Sequence, residues 1–289
     1  MIKVLLVLLF LTCPSADVSS LLEFGSATTL QKQTTTATQE IKVVSYNIRF
    51  RSGEELKKMI NLLRTDPEIG GAAILGLQEV DRRKKRSRNC HTTKVIADEL
   101  GMHYAWAAPP APEPDDEEET GVAILSTYPL FDVRRIVLPH EGPNGRRRVA
   151  LGATVEIDGR KWRVYSAHAE TRLAMKKKLE QFKAIMDDLA QFPSDTPSII
   201  MGDLNTWESS ADDKTHKLFS SAGWKTPFGG EATFKRKMLF VPIEMKLDWV
   251  WLRGLEAGSF GIDRTIELSD HWPLWTIVKT QNRVAAEPE

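Results

Sequence analysis

Between Gly121 and Ala169 the chain carries "GVAILS", "FDVRRIVL", "RRVALGATVEI" and "KWRVYSAHA", apolar runs of strand length with no helical stretch between them. Connections this short make successive strands pair antiparallel, because a parallel neighbour needs a crossover of a dozen or more residues. The turn "IDGRK" between the last two is a hairpin signal, since Asp158-Gly159 suits a primed turn with positive φ at both positions. On either side of this block strands and helices alternate. "IKVVSYNI" is followed by "GEELKKMINLLRT", with Leu56, Met59, Ile60 and Leu63 at helical spacing, and "AAILGLQE" by the short helix "TKVIADELG", closed by Gly101. A long helix with Leu179, Phe182, Met186 and Leu189 on one stripe precedes "PSIIMGDLN", and a helix at "DDKTHKLFSSAG" follows it. "KLDWVWL", a strand near 257–266 and "WPLWTIV" complete the pattern. Helices at intervals plus runs of antiparallel strands imply an α/β fold, two mixed sheets packed face to face with helices outside. One such domain spans residues 41–279, and 280–289 reads as a disordered tail.

The strands share an unusual ending. Asn47 closes "VVSYN", Glu79 closes "ILGLQE", His168 closes "VYSAH", Asp203 and Asn205 close "IIMGDLN", and Asp270-His271 follow "LS". Asp248 stands inside the apolar "KLDWVW". Each has an ordinary explanation: Asp203 as a cap or Asx turn, Asn47 in a left-handed turn, His168 as a bonded structural residue. Asp248 requires a histidine or cation beside it, because an unpaired buried carboxylate is costly. Strand ends of one sheet lie side by side, however, and loops at such an edge are where rigid scaffolds present chemistry. Glu79 and Asp270, with Asn47 nearby, suit the oxygen-rich shell of Mg²⁺, with Mn²⁺ as the alternative. Asp203 and Asn205, two apart on an extended segment, face one way, one to orient water and the other to donate to a phosphoryl oxygen. His271, held by Asp248, supplies a donor or acid where negative charge grows.

Together, "YN", "LQE", a mid-chain strand-end histidine, "GDLN", "LDWV" and "SDHWP" resemble, in order, the endonuclease/exonuclease/phosphatase superfamily of metal-dependent phosphoesterases. The resemblance implies a four-layered α/β/β/α sandwich. It implies metal binding by Glu79 with Asn47 and Asp270 in support, and Asp203 as the residue that aligns or deprotonates water. Asn205 becomes a phosphate ligand, His271 a phosphate-binding or acid group oriented by Asp248, and His168 a second phosphate-side histidine. Secreted nucleases of the superfamily pair the middle histidine with a glutamate, for which "PDDEEE" offers Glu119. The implied activity is that of a secreted phosphodiesterase. The alternative is a non-catalytic phosphate- or nucleic-acid-binding module on the same fold.

Substrate is less constrained. With 39 basic and 39 acidic residues the chain exerts no global pull on polyanions, so attraction must be local. "RRKKRSR" at 82–88 and "GRRR" at 145–148 are such patches, with Arg83, Arg86 and Arg148 as substrate contacts, or else a solvated basic loop balanced by "PDDEEE". Nucleic acid, a phospholipid headgroup and a small phosphoester all fit. The run "KRKMLFVPIEM" at 235–245 is at the rim of the site by the resemblance, either as an exposed apolar lip or as a short buried strand.

The N-terminus "MIKVLLVLLFLTCPSADVSS" reads as a signal peptide over residues 1–16, too short to span a bilayer, with lipid anchoring through Cys13 the weaker alternative. The expected location is secreted or periplasmic, as a monomer without a transmembrane span. Residues 17–40 read as a flexible linker. Cleavage leaves Cys90 as the remaining cysteine, with no partner for an intramolecular disulfide.

Overall fold

The computed structural model describes residues 21–30, 40–110, 119–143, 145–208, 210–238 and 241–280. The strands are β1 (Leu22–Ser26), β2 (Ile41–Asn47), β3 (Ile74–Arg82), β4 (His103–Ala107), β5 (Glu119–Ser126), β6 (Phe131–Val137), β7 (Val149–Ile157), β8 (Arg160–His168), β9 (Ser198–Asp203), β10 (Phe234–Met238), β11 (Val241–Met245), β12 (Asp248–Arg253), β13 (Leu255–Ile262) and β14 (Leu274–Thr280). The helices are α1 (Gly53–Thr65), α2 (Thr92–Leu100), α3 (Met175–Leu189) and α4 (Ala211–Ser221). β1, β4, β5, β3, β2, β14 and β13 form a seven-stranded sheet in that order, and β12, β9, β8, β7 and β6 a five-stranded one. Both are mixed, with β2 parallel to β3 and β8 parallel to β9.

Alternation within each strand explains the layering. Ile199 and Met201 of β9 point between the sheets, where Val43, Ile74, Ile124, Leu151, Val164 and Val250 also pack. Ile200, between them in sequence, points outward into a second core with Phe182, Ile185, Phe219 and Trp249 beneath α3 and α4. The outer face of the larger sheet packs Val44, Leu75 and Leu77 against Leu56, Ile60, Val95 and Ile96 of α1 and α2. The result is the four-layered α/β/β/α sandwich. The hairpin joining β7 to β8 turns on Asp158 at φ 51 and Gly159 at φ 73, the two positive values of a primed turn.

Four sequence readings are corrected. Part of the expected linker is structure: β1 adds to the edge of the larger sheet by pairing with β4, and its Glu23 bonds Arg82, His91 and Tyr104. The inner face of α3 is only in part the expected apolar stripe: Phe182 and Leu189 are buried, but Leu179 and Met186 are only partly covered, and Lys178, Gln181 and Asp188 are buried on the same face. Those polar groups have partners: Asp188 accepts from Arg163 and Tyr165, Lys178 donates to the Asn205 carbonyl, and Gln181 accepts the Glu170 N–H. At 235–245 the chain forms a separate two-stranded hairpin, β10–β11, bridged to the site loop at Phe234 and His271, instead of a buried strand, and Val241 is 61% exposed. Residues 239 and 240 of that run lie outside the described residues, as do the leader and 281–289. Finally, Cys90 is disulfide-bonded in the uncut chain, whereas the sequence reading left it without a partner only once residues 1–16, Cys13 among them, are removed; Cys13 lies outside the described residues. Among the described residues no helix is long and apolar enough to cross a membrane.

Candidate active site

The polar strand ends converge on one edge of the sandwich, where both sheets contribute. β2 ends at Asn47 and β3 carries Glu79 on the larger sheet. β8 ends at His168 and β9 at Asp203 on the smaller one, level with each other in the parallel register. Asp248 opens β12 directly opposite Asp203. Gly202 makes this approach workable: at φ 139 a Cβ there would meet the Ala167 carbonyl oxygen at 2.0 Å, so only glycine lets β9 lie against β8 and deliver Asp203 beside His168.

Asp203 is the hub. Its Oδ1 accepts the Asn205 N–H at 2.9 Å, which is the Asx turn expected of it, and its Oδ2 accepts from Asn47 Nδ2 at 3.1 Å. The Nε2 atoms of His168 and His271 stand 3.5 Å and 3.7 Å from the same oxygen. On its other side His271 Nδ1 bonds Asp248 Oδ2 at 2.8 Å, as the sequence reading requires. Thr233 fixes Asp248 in turn: its hydroxyl donates to Oδ2 at 2.7 Å while accepting the N–H groups of Leu247 and Asp248. The sequence reading missed Thr233, and nothing in the local pattern distinguishes it from any loop threonine.

Electrostatics follow from burial and crowding. Burial pushes the Asp203 carboxyl up to about 7, with His271 opposing and Asp248 and Glu79 adding to the rise. For His271 burial works against charge, but the carboxylates of Asp248 and Asp203 outweigh it and push the imidazole up to about 10. His168 moves the other way, well below its ordinary value, because it is buried and faces Arg148 and His271. At neutral pH the site therefore holds a cationic His271, a neutral His168 and a carboxyl poised to exchange a proton. Asn47 Nδ2 also lies 3.5 Å from His271 Nε2. Both are donors, so neither satisfies the other, and both face Asp203 and any oxygen admitted to the cleft.

Glu79 arrives by an irregularity. The pairing of β3 with β5 shifts between Gln78 and Val80, and the extra residue, Glu79, takes φ 55. The bulge turns its carboxylate out of the ladder, so that Oε1 lies 3.3 Å from Asn47 Nδ2. Asp270 is joined by Arg49 at 3.2 Å, a rim arginine absent from the sequence reading, and Ser269 ties this loop to the Asn47 carbonyl. Among the described residues, Asp203, Asp248 and His271 place one ligand atom each within 4.8 Å of one another and could hold a metal ion. Asp248 and His271 are bonded to each other and Asp203 Oδ1 is held by the Asn205 N–H, so the partly exposed carboxylates of Glu79 and Asp270, beside buried Asn47, fit a hard cation better, Asp270 on release from Arg49.

Other assigned residues fall differently. Asn205 is not on an extended segment: it takes φ 54 and its carboxamide donates to the Ala169 carbonyl, clamping the loop after β8. Arg148 reaches the site's edge, bonded to Glu170. Arg86 is committed elsewhere, forked onto buried Asp81 at 2.8 Å and 2.9 Å and stacked on Phe50. Arg83 takes φ 58 just past the end of β3, where its N–H donates to the Cys90 carbonyl at 3.2 Å. Glu119 pairs with Arg82 at 2.6 Å, directly across the β3–β5 ladder, which leaves it no role beside His168.

Residues 44–271 match the model of the Endonuclease/Exonuclease/phosphatase family. No curated protein matches the chain in sequence. Among solved structures, an endonuclease/exonuclease/phosphatase from Beutenbergia cavernae superposes with a TM-score of 0.65 at 15% identity, over 83% of this chain and 72% of that one. The human Nocturnin catalytic domain with bound sulfate gives 0.64 at 20% identity, over 84% and 94%. TDP2 of D. rerio complexed with single strand DNA product gives 0.63 at 13% identity, over 83% and 99%. At these identities the likeness establishes the fold.

Proposed function

Because the chain belongs to the Endonuclease/Exonuclease/phosphatase family, we propose that it is a Mg²⁺-dependent phosphodiesterase that hydrolyses its substrate by in-line attack of water. The observation that carries this reading is the meeting at Asp203 Oδ2 of donors from both sheets, Asn47, His168 and His271. Asp203, with its carboxyl near neutrality, takes the proton of the attacking water. His271, charged and held by Asp248, donates to the phosphoryl oxygen where negative charge accumulates. Neutral His168 lines the same space and orients the phosphate. Glu79, Asn47 and Asp270 would hold the cation, which supplies positive charge at the phosphoryl oxygens when bound.

The single strand DNA product in D. rerio TDP2 supports a phosphodiester as the reacting group. A non-catalytic binding module on this fold would have no use for a charged relay that ends on a carboxyl poised near pH 7. The leader-like N-terminal sequence supports a secreted or periplasmic location. The test is metal dependence. Glu79→Gln keeps the shape and removes one ligand charge, so half-maximal activity on a phosphodiester is expected to need at least about tenfold more Mg²⁺. EDTA should silence the wild type reversibly. Activity that survives thorough chelation would refute the reading.

A further inference from the structure

Trp207 stands four residues beyond Asp203 and is 50% exposed, one of the few large apolar side chains so placed among the described residues. The hydrolytic chemistry has no use for it. An exposed indole ordinarily samples several rotamers, yet this one is fixed at two points. Its Nε1–H donates to the Thr171 carbonyl at 2.9 Å, on the loop that leaves β8 just after His168. Its ring lies over the Lys178 ammonium, 5.3 Å from the ring centroid. Lys178 is itself buried and pinned to the Asn205 carbonyl at 2.6 Å. The ring thus bridges the two loops that carry His168 and Asp203, with its orientation set before any ligand arrives.

A rigid, half-open aromatic surface beside a phosphate site suits a flat partner attached to that phosphate. Stacking on a nucleobase needs no hydrogen-bond code, and a pre-set ring loses little conformational entropy on contact. The neighbouring rim supplies charge for a backbone rather than for a headgroup alone, with Arg148, just before β7, on Glu170 of the His168 loop and Arg49 over Asp270. Resting on the reading of this site as a phosphodiesterase, we propose that Trp207 stacks a base adjoining the scissile phosphate and so makes single-stranded nucleic acid the preferred substrate.

The test is fluorescence anisotropy with a short labelled oligothymidylate and with the same backbone made abasic, EDTA being present so that nothing is cleaved. Wild type is expected to hold the base-bearing strand more tightly than the abasic one. Trp207→Leu should weaken the base-bearing strand about tenfold, equivalent to about 1.4 kcal/mol, and leave the abasic strand unchanged. Trp207→Phe should retain most of the preference, and melting temperatures should confirm that both variants fold. With Mg²⁺ present the Leu variant should raise KM and hold kcat within about twofold, as expected for lost uniform binding. Equal affinity of wild type for the two strands, or binding of neither, overturns the proposal. So does a Leu variant that loses phosphatidylcholine vesicle binding while keeping the oligothymidylate. Base-dependent binding without Mg²⁺-dependent cleavage of either strand would instead sink the phosphodiesterase reading and leave the stacking surface standing.

Discussion

Asp248→Asn isolates the charge of the relay from its geometry. Asp248 Oδ2 accepts both the His271 Nδ1–H and the Thr233 hydroxyl, whereas Oδ1 is buried with no hydrogen-bond partner. An asparagine can therefore put its carbonyl oxygen where Oδ2 was and keep both bonds, leaving its NH₂ in the Oδ1 position. A buried donor left unmet there costs about 1–3 kcal/mol, so the variant should fold with a moderately lower Tm. The larger effect is on His271, which loses the carboxylate that most strongly holds its proton against burial. If the imidazole reverts only to its ordinary value of 6.5, about a quarter of molecules stay protonated at pH 7 and about 3% at pH 8, whereas the wild type stays charged at both. The loss of kcat on a phosphodiester at saturating Mg²⁺ is then expected to grow from about 4-fold at pH 7 to about 30-fold at pH 8. The wild-type rate should rise through about pH 7 as Asp203 deprotonates and then stay level toward pH 9. Stability carries the same signature. A histidine whose folded value is raised stabilises fully below 6.5 and loses that contribution as pH rises through about 10, so the Tm gap between wild type and variant should be widest in acid. Parallel pH–rate profiles for the two proteins would refute the role given to His271.

Two further substitutions separate chemistry from scaffold. Asp203→Asn should lower kcat by at least about 10²-fold, while its Tm in chelator holds or rises, because a buried carboxyl crowded by Asp248 and Glu79 is relieved of its charge; initial rates and thermal melts check both. Gly202→Ala should destabilise by about 3 kcal/mol or more, measured by urea unfolding, since the new Cβ would overlap the Ala167 carbonyl at a φ that disfavours side chains.

The residues that could be read in the sequence share one property: their position follows from strand periodicity. Asn47, His168, Asp203 and Asp248 lie at strand ends or starts, so locating the strands located them, and the Asp248–His271 bond followed from the cost of burying a lone carboxylate. What could not be read depends on departures from periodicity or on distant contacts. The bulge that re-aims Glu79 leaves no mark in "LQE", and the left-handed turn of Asn205 ends the extended run assumed for "GDLN". The face of α3 was misread because Lys178, Gln181 and Asp188 are buried by tertiary partners that a hydrophobic pattern does not register. β1 escaped notice for the same reason, as its place comes from the open edge of β4 and from the Arg82, His91 and Tyr104 pocket that receives Glu23. Arg86 was read for its charge and Glu119 from the resemblance, and each is taken by a near-neighbour or cross-strand ion pair.

The central claim, that this cleft directs water onto phosphorus, is tested most directly by turnover in ¹⁸O-labelled water with ³¹P NMR of the products. A phosphomonoester product carrying the isotope shift of one ¹⁸O, formed by wild type with Mg²⁺ and lost with Asp203→Asn, is the expected result. Label recovered on the alcohol product, or equal incorporation by the Asp203→Asn variant, would contradict it.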